Sequence, residues 1–263
     1  MKTNDKQNIK LVTWNVNGIR ASYEKGLQTF ISDNKPDILC LQETKAHLEQ
    51  VAPAIQNLGY QHSYWSSAVR KGYSGVATFL NDKPQKILTS IDYPEYENEG
   101  RIVWSQHAQF DLYNIYFPNG GSGPERHDFK QKFLKNLTAH LKFELATGRQ
   151  IIVVGDYNVA HREVDVYDPI RLSKESGFLP EERAWFNQFL NLGFIDSYRH
   201  LNPNEKDIYS WWSYRELARI KNRGWRIDYI CISQGLLPYL KSCEVLMRQE
   251  GSDHCPVMAE FVF

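Results

Sequence analysis

The chain has 263 residues, 42% hydrophobic and 13% aromatic, which supplies enough apolar side chain for a core and excludes a disordered composition. Its 31 basic and 31 acidic residues give a formal net charge of zero, which excludes capture of nucleic acid by overall positive charge but not by a local basic surface. The length fits one large α/β domain or two smaller ones.

Short apolar runs rich in β-branched and aromatic residues predict a series of strands, which in chain order are IKLVTW, DILCLQ, GVATFL, RIVWSQ, FDLYNIYF, QIIVVGD, WRIDYICI and PVMAEFVF. Helical spacing of apolar residues predicts helices over residues 23–33, 46–58, 125–147 and 180–192. Because these elements alternate, we expect a mixed-sheet α/β sandwich with helices outside. No Pro/Gly/Ser-rich linker interrupts the order, so we expect a single domain over residues 1–263. The segments LVTWNVNG and IIVVGDYNVA both run from an apolar strand into aromatic-Asn-Val, which suits two similar halves.

The cysteines and the N-terminus indicate the compartment. Cys40, Cys231, Cys243 and Cys255 are widely spaced without a C-x-x-C pair, so neither a structural zinc site nor a dense disulfide framework is indicated. The N-terminal MKTNDKQNIK lacks the apolar region of a signal peptide, and no apolar run reaches the roughly 18 residues that span a bilayer. We therefore expect buried free thiols in a cytoplasmic protein without membrane contact, associated with the nucleoid if the source is bacterial.

Polar side chains follow the predicted strands in six separate segments. They are Asn15, Asn17, Glu43, Tyr116, Asn119, Asp156, Asn158, Asp228, Asp253 and His254. An Asn or Asp after a strand is usually turn chemistry, and Glu43 has an alternative role as a cap for a helix beginning near Ala46. Asp228 lies among apolar neighbours, however, where a carboxylate needs a partner. Because strand ends meet at one rim of a sheet, the whole set predicts a site.

The residue types in this set favour metal-assisted chemistry on a phosphate ester. Glu43, Asp156 and Asp253, with the amides of Asn15 and Asn158, offer oxygen ligands and no thiolate, which suits Mg²⁺ or Mn²⁺ better than zinc. An imidazole beside an aspartate can be charged by it and contact a phosphate oxygen, while Asn and Tyr stabilise developing negative charge. The chain contains no G-x-x-x-x-G-K-[ST], H-E-x-x-H or G-x-S-x-G motif, which excludes the commonest competing chemistries.

A basic and aromatic segment at residues 211–226 favours nucleic acid as the partner. It reads WWSYRELARIKNRGWR, with five basic residues against Glu216 alone, and it contains Trp211, Trp212 and Trp225. A second loop, VRKGYSG, contains Arg70, Lys71 and Tyr73. Basic side chains contact phosphates and aromatic rings stack on bases, whereas the alternative is a solvated face with tryptophans in the core.

The motifs WNVNGIR, LQETK, IYFPNG, GDYNVAH, GWRIDY and GSDHCPV together resemble the exonuclease III/apurinic-apyrimidinic (AP) endonuclease family of the endonuclease/exonuclease/phosphatase superfamily. The resemblance covers essentially the whole chain, with the motifs in order. It implies a DNase I-like fold, a four-layered α/β sandwich of two mixed β-sheets flanked by helices. It also implies a monomeric enzyme that uses Mg²⁺ or Mn²⁺ on double-stranded DNA with AP sites, nicks or blocked 3′ ends, as 3′-5′ exonuclease, 3′-phosphatase/3′-phosphodiesterase and AP endonuclease.

The resemblance also implies a role for each matched residue. Glu43 is the main metal ligand, and the implied set of ligands is Asn15, Glu43, Asp156, Asn158, Asp253 and His254. The implied catalytic residues are Tyr116, Asp156, Asn158, Asp228 and His254, with His254 paired to Asp228 and bound to a phosphate oxygen. The predicted phosphate and DNA contacts combine residues matched to the family with residues of the basic and aromatic segments and of the altered loop. They are Asn17, Lys45, Arg70, Lys71, Tyr73, Asn119, Arg171, Trp211, Trp212 and Trp225. Either Asp156 or a Tyr116 phenolate serves as the general base.

One stretch departs from the family pattern. Where many AP endonucleases of the family carry a loop resembling N-P-K-G-N-K-K-N-A-G-F, this chain reads DPIRLSKESGF, with Arg171 at the glycine, Leu172 at the first following asparagine and Glu175 at the later one. One hypothesis is that Arg171 obstructs a flipped abasic nucleotide but admits a 3′ end, so that 3′-end processing exceeds AP-site incision. The alternative is ordinary loop variation, with Arg171 binding phosphate.

Two other functions stay open on the sequence. The same metal site can serve a lipid or inositol phosphodiester, against which the tryptophan-rich basic segment argues. A non-catalytic DNA-binding module would lack a metal or phosphate residue, whereas every matched position is filled here.

Overall fold

The computed structural model describes residues 7–215 and 217–263, so residues 1–6 of the polar N-terminus and Glu216 of the basic segment lie outside the described residues. The strands are β1 (Asn8–Asn15), β2 (Ile38–Gln42), β3 (His62–Ser66), β4 (Val76–Leu80), β5 (Lys86–Leu88), β6 (Ile102–Gln106), β7 (Asp111–Tyr116), β8 (Ile151–Asp156), β9 (Phe194–Asp196), β10 (Asp228–Ser233), β11 (Leu240–Val245) and β12 (Val257–Val262). The α-helices are α1 (Ile19–Ser22), α2 (Gln28–Asn34), α3 (Pro53–Asn57), α4 (Pro124–Ala146), α5 (Pro169–Leu172), α6 (Pro180–Asn191) and α7 (Ser197–Leu201). A π-helical turn at Tyr23–Leu27 joins α1 to α2, and short 3₁₀ helices occur at Leu48–Gln50, Pro94–Glu99, Glu163–Asp165 and Gln234–Tyr239.

The strands form two six-stranded mixed sheets, in the orders β11-β12-β1-β2-β4-β3 and β5-β6-β7-β8-β10-β9. In the first sheet β1 pairs parallel with β2 and antiparallel with β12. In the second sheet β8 likewise pairs parallel with β7 and antiparallel with β10, so the two halves share a central pattern. The prediction of a four-layered α/β sandwich is confirmed.

Three apolar clusters hold the layers together. One contains side chains of both sheets, such as Leu11 and Val154, and lies between them. A second packs α2 and α3 on the first sheet, and a third packs α4 and α6 on the other, with Phe133 and Phe186 among its buried rings. Each sheet therefore buries both faces, which explains why its central strands read as continuous apolar runs.

The inward faces of the central strands change from apolar to polar at one end of the sandwich. Side chains alternate along a strand, so Ile152, Val154 and Asp156 of β8 all face the opposite sheet. On the neighbouring strand β10, Ile230 and Asp228 follow the same alternation, and Asp228 lies opposite Asp156 in the register. The apolar positions fill the core and the last inward position of each strand carries a carboxylate, which places the polar site at this end.

Two of the predicted helices were wrong in their extent. The helix expected over residues 46–58 is replaced by a 3₁₀ turn and the short α3, which begins at Pro53 because proline has no N–H to continue an earlier helix. Glu43 therefore does not cap a helix at Ala46. The helix expected over residues 23–33 is interrupted at Gly26, whose φ is 116°. The helices predicted over residues 125–147 and 180–192 are confirmed as α4 and α6 to within one residue at each end.

The cysteine prediction is confirmed, since all four cysteines are buried free thiols. Within the described ranges, no helix is both long and apolar enough to cross a membrane.

A polar network links the two sheets directly beneath the polar end. The Gln42 amide of the first sheet donates to Asn114 Oδ1 of the second at 2.7 Å and to Thr13 Oγ1 at 2.9 Å. The Asn114 amide donates in turn to Thr78 Oγ1 and to the Ala77 carbonyl, each at 3.0 Å. All these side-chain groups are buried, so each depends on the others for its hydrogen bonds.

We predict that Asn114→Leu lowers the free energy of unfolding by about 1–3 kcal/mol, because the buried Gln42 amide, Thr78 and the Ala77 carbonyl each lose a hydrogen bond to Asn114. The double variant Gln42→Leu/Asn114→Leu should lose less than the sum of the single losses, since both partners are then apolar. Urea unfolding at neutral pH measures these values. The exposed Asn191→Leu serves as control and should change the value by no more than about 0.5 kcal/mol. A double variant that loses the full sum would contradict the proposed coupling.

Candidate active site

The polar ends of the strands open into a cavity of about 690 Å³. Nine predicted site residues line it: Glu43, Tyr116, Asn119, Asp156, Asn158, Trp211, Trp225, Asp253 and His254. Asn15 and Asp228 lie behind this lining, in hydrogen-bond contact with it. Residues from both sheets and from loops far apart in the chain thus meet in one place.

The loop after β2 holds Glu43 in an unusual backbone conformation. Glu43 and Lys45 have φ angles of 49° and 51°, in the left-handed region that ordinary residues rarely adopt. The loop is fixed on both sides: Gly18 N donates to the Glu43 carbonyl at 2.7 Å, and Lys45 N donates to the Ser74 carbonyl at 2.9 Å. A Cβ at Gly75 would lie 2.3 Å from Thr44 Oγ1, so this close approach requires glycine. The strain is therefore offset by contacts that aim Glu43 into the cavity.

Asn15 bridges two carboxylates that belong to different sheets. Its amide Nδ2 donates to Glu43 Oε1 at 2.8 Å and to Asp156 Oδ2 at 2.9 Å. Its Oδ1 accepts the backbone N–H of Asn17 at 3.0 Å, which fixes the amide orientation because an N–H needs an oxygen as acceptor. Asn15 is thus placed as a donor to both carboxylates.

His254 lies between two aspartates. Its Nδ1 is 2.8 Å from Asp228 Oδ2, and its Nε2 is 3.9 Å from Asp156 Oδ2. Burial alone lowers the pKa of His254, but the charges of Asp228, Asp156 and Asp253 outweigh burial and raise its pKa to about 10. The imidazole is therefore positively charged near neutral pH, and its protonated Nε2 lies on the side of the ring that faces Asp156.

The two carboxylates bridged by Asn15 have different protonation behaviour. Burial raises the pKa of Asp156 to about 7, with His254 opposing the rise and the carboxylates of Asp228 and Glu43 adding to it. Burial also acts to raise the pKa of Glu43, but the Lys45 ammonium at 2.8 Å and the Asn15 amide outweigh it and hold the pKa below its ordinary value. Glu43 is thus the permanently charged member, and Asp156 is poised to exchange a proton near neutral pH.

Tyr116 is a neutral phenol at the edge of the same cluster. Burial, followed by the negative charges of Glu43 and Asp156, raises its pKa well above the ordinary value, and its hydroxyl hydrogen-bonds to Glu43. The Arg101 guanidinium lies 5.0 Å from the centre of the Tyr116 ring and donates to the Tyr116 carbonyl at 3.1 Å. Arg101 was not predicted as a site residue, and the available signal was a charged residue at the start of the predicted strand RIVWSQ.

Asn158 holds the loop after β8 against the loop that follows β7. Its Nδ2 donates to the Phe117 carbonyl at 2.9 Å, and its Oδ1 accepts from Asn119 Nδ2 at 3.0 Å. Its backbone N–H donates to Asp156 Oδ1 at 2.8 Å. Its φ of 52° is a left-handed conformation that asparagine tolerates. Asn158 therefore orients the Asp156 carboxylate through the backbone and Asn119 through its side chain.

Asp253 and Trp211 line the other side of the cavity, and Asn17, which is not part of the lining, supports Asp253. Asn17 Nδ2 donates to Asp253 Oδ1 at 2.9 Å, and Trp211 Nε1 donates to Oδ2 at 3.2 Å. Lys45 donates to Asn17 Oδ1, which links this wall to Glu43. Asp253 thereby orients neighbours that face the cavity, and it lies outside the tightest acidic cluster among the described residues.

That tightest cluster fits a hard divalent cation. One ligand atom from each of Glu43, Asp156 and His254 lies within 4.8 Å of the others. Because His254 is charged and bonded to Asp228, the free donors that remain are carboxylate oxygens, the ligands that Mg²⁺ and Mn²⁺ prefer.

Comparison with known proteins decides the family. The sequence pattern of the Endonuclease/Exonuclease/phosphatase family matches residues 12–254, which include every member of this cluster. The chain belongs to that family. It is 40% identical to an exodeoxyribonuclease from Bacillus subtilis over 95% of this chain and 98% of that protein.

Solved structures agree with this assignment. An AP endonuclease from Archaeoglobus fulgidus is 32% identical, with a TM-score of 0.87 over 96% of this chain and 99% of its own. A 3′-5′ exonuclease (NExo) from Neisseria meningitidis is 30% identical, with a TM-score of 0.88 over 97% of this chain and 100% of its own. The resemblance to the exonuclease III/AP endonuclease branch of the endonuclease/exonuclease/phosphatase family is thus confirmed.

Several residues predicted to contact DNA do not line the cavity. Trp212 is only 2% exposed and packs in a separate cluster with Tyr209 and Cys255, under the Arg219 guanidinium at 4.6 Å, so it is placed as a core residue. Trp211 and Trp225 do line the cavity, with ring centroids 6.2 Å apart.

None of the residues 69–75 lines the cavity. Arg70 and Lys71 are exposed, and the half-buried Tyr73 hydroxyl donates to Glu99 at 3.0 Å and accepts from Arg101 at 2.6 Å. These residues form a cationic surface beside Tyr116 without facing the acidic cluster.

Arg171 is an exposed residue of α5 and does not line the cavity, so its position does not support the idea that it obstructs a flipped nucleotide. The wall is instead built by the residues that follow, among which Lys174 and Glu175 are exposed and Ser176 and Gly177 pack behind them. Sequence reasoning missed Lys174 as a site residue, although the altered loop was the signal that pointed there.

We predict that Asp228→Asn lowers the pKa of His254 in the metal-free protein, because the neighbouring negative charge that contributes most to raising it is removed. The imidazole should then titrate between about pH 5 and 8, whereas in the parent chain it stays protonated there. Nuclear magnetic resonance of the imidazole signals across pH measures this. Asp33→Asn, an exposed change on α2, should leave the titration as it is. The same His254 titration in Asp228→Asn and the parent would contradict control by Asp228.

Proposed function

We propose that this chain is a Mg²⁺-dependent DNA repair nuclease, which hydrolyses phosphate esters of double-stranded DNA at 3′ ends and AP sites. The single observation that carries the proposal is the Asn15 bridge between Glu43 and Asp156, with the charged His254 beside them in one cavity. The similarity to an exodeoxyribonuclease, an AP endonuclease and a 3′-5′ exonuclease supports the choice of DNA over a lipid or inositol phosphodiester.

Glu43 and Asp156 would hold the cation, and Mn²⁺ would suit the same oxygens. When bound, the ion supplies Lewis-acid stabilisation of negative charge on phosphate oxygens. The hydrogen bonds of Asn15 keep the two carboxylates close despite their repulsion before an ion arrives.

The protein's own groups divide the remaining work. We infer that Asp156 accepts the proton of the attacking water, since Asn158 and Asn15 fix its carboxylate in the cavity and the Tyr116 phenol is held neutral by its raised pKa. The His254 imidazolium would bind a phosphate oxygen through Nε2, with Asp228 fixing the ring. Asn158 orients Asp156, and Asn119 and Tyr116 would contact the scissile phosphate.

We propose that the chain acts as a monomer with a single domain. We further propose that exposed cationic residues near the cavity hold the DNA. Arg70 and Lys71 lie on the loop beside Tyr116, and Arg215 follows Trp211 and Trp212 in the basic and aromatic segment. Arg171, which is exposed and outside the cavity lining, would also meet a phosphate. Trp211 and Trp225 would form the wall against which an unstacked sugar or base rests.

The balance of activities is a finer proposal. We infer that 3′-end processing exceeds AP-site incision, and that Glu175 contributes to this preference in place of Arg171. Glu175 puts a carboxylate on the cavity wall, where an internal nucleotide flanked by two phosphates meets more repulsion than a 3′-hydroxyl chain end with one phosphate does.

We predict that Glu43→Gln reduces cleavage of a 3′-phosphate nick by at least about 100-fold, because it removes a charge from the cation site. Rates with and without Mg²⁺, and after chelation by EDTA, measure the effect. The exposed Glu49→Gln is the matched control and should retain the parent rate. EDTA-insensitive cleavage, or full activity in Glu43→Gln, would show that the proposed mechanism is wrong.

A substrate panel tests the balance of activities: an AP-site duplex, a 3′-phosphate nick, a blunt duplex and a single strand, each with Mg²⁺. We predict that Glu175→Asn raises AP-site incision relative to exonuclease action on the 3′-hydroxyl ends of the blunt duplex about tenfold, the factor that corresponds to 1.4 kcal/mol of charge repulsion. Arg171→Gly should change this ratio little, because Arg171 does not face the cavity. Faster AP-site incision than 3′-end processing in the parent would contradict the proposed balance.

A further inference from the structure

A fully buried ion pair joins α4 to α6 behind the cavity wall. Lys130 Nζ donates to Glu182 Oε1, and both side chains have no exposed surface. Burying two charges costs desolvation free energy, so a buried pair is weak evidence for stability, and an apolar pair of similar volume is often as stable. The position of this pair therefore calls for a further physical reason.

The partners of the pair supply that reason, because all of them belong to the cavity wall. Lys130 Nζ also donates to the backbone carbonyl of Asn158 at 2.8 Å. Glu182 Oε2 accepts the backbone N–H groups of Gly177 at 2.6 Å and Leu179 at 3.1 Å. One ion pair thus holds backbone groups from the loop after β8 and from the loop before α6.

The two loops are packed so closely that their relative position has little freedom. A Cβ at Gly177 would lie 3.2 Å from the Asn158 carbonyl oxygen and 3.2 Å from the Trp225 ring. On the other side, a Cβ at Gly120 would lie 2.8 Å from Ser176 Oγ and 3.3 Å from Lys130 Cδ. A shift of the pair is therefore transmitted to Asn158 and to the Trp225 wall.

We propose that Lys130 and Glu182 are positioning residues, which set the place of Asn158 and of the wall at residues 176–179 and so govern turnover more than DNA affinity. This inference rests on the proposed nuclease function. Asn158 in turn orients Asp156 and Asn119. A shift of the loop after β8 would therefore move the Asp156 carboxylate and the Asn119 amide relative to the reacting phosphate. The exposed cationic residues that would hold DNA lie outside this loop, so binding is affected less.

The test compares kcat and KM for a 3′-phosphate nick in the full-length chain, per folded protein, at a temperature where every variant is folded. The variants are Lys130→Met and the double Lys130→Met/Glu182→Gln. The double variant leaves no unpaired charge and keeps an acceptor for Gly177 and Leu179, but the Asn158 carbonyl loses its donor. We expect kcat to fall about 30- to 100-fold in both variants, with KM changed by less than about threefold.

Lys132→Met is the matched control, because Lys132 lies on the same helix and pairs with Glu95 at the surface. It should retain the kcat and KM of the parent chain. Parent-like kcat in the double variant would overturn the inference, since it would show that only the unpaired charge mattered. A loss confined to KM would overturn it as well.

A second readout separates this inference from the proposed function. In the metal-free double variant, the side-chain amide resonances of Asn158 and Asn119 should shift, whereas those in Lys132→Met should stay as in the parent. If the parent chain fails to cleave any DNA substrate, the nuclease proposal fails, and unshifted amides in the double variant would then overturn the positioning role independently.

Discussion

Crowded negative charge in a buried cavity is the constraint on which the site depends. Glu43, Asp156 and Asp228 approach one another at the ends of strands that belong to two different sheets. Like charges in a medium of low polarity repel strongly, so the fold must supply compensating donors. It does so with the Asn15 amide between two of the carboxylates and with the charged His254 beside the third. The surplus negative charge that remains is what makes the place suitable for a divalent cation.

The sandwich puts the carboxylates there by a simple rule of strand geometry. Inward positions alternate along each strand, and on β8 and β10 they are apolar until the last one at the cavity, which is Asp156 or Asp228. The Gln42–Asn114 network lies one layer below and joins the sheets by hydrogen bonds. The apolar interior, the polar link and the charged rim thus form successive layers, and the rigidity of the first two keeps the third in register.

The structure shows where the charges that sum to zero over the chain are located. The cavity brings together Glu43, Asp156 and Asp253, while Arg70 and Lys71 lie on the exposed surface near it, among charged residues of both signs. Electrostatic attraction of DNA therefore depends on local surfaces, which limits non-specific binding without removing it. Arg101 connects the two regions, since it contacts both Tyr73 on the surface and Tyr116 in the cavity.

The sequence by itself determined the central strands, the longer helices α4 and α6, and the polar residues at the strand ends, because burial on both faces and strand-end carboxylates leave strong local patterns. It did not show β3, β5, β9 and β11, which are the four edge strands, since edge strands are short or polar and pair on one side only. Only the tertiary structure decided that Asn15 donates to carboxylates, that Trp212 is core while Trp225 faces the cavity, and that Lys174 and Glu175 form the wall in place of Arg171. The type of each side chain can be read from the sequence, but the orientation of that side chain and its partners depend on contacts between residues far apart in the chain.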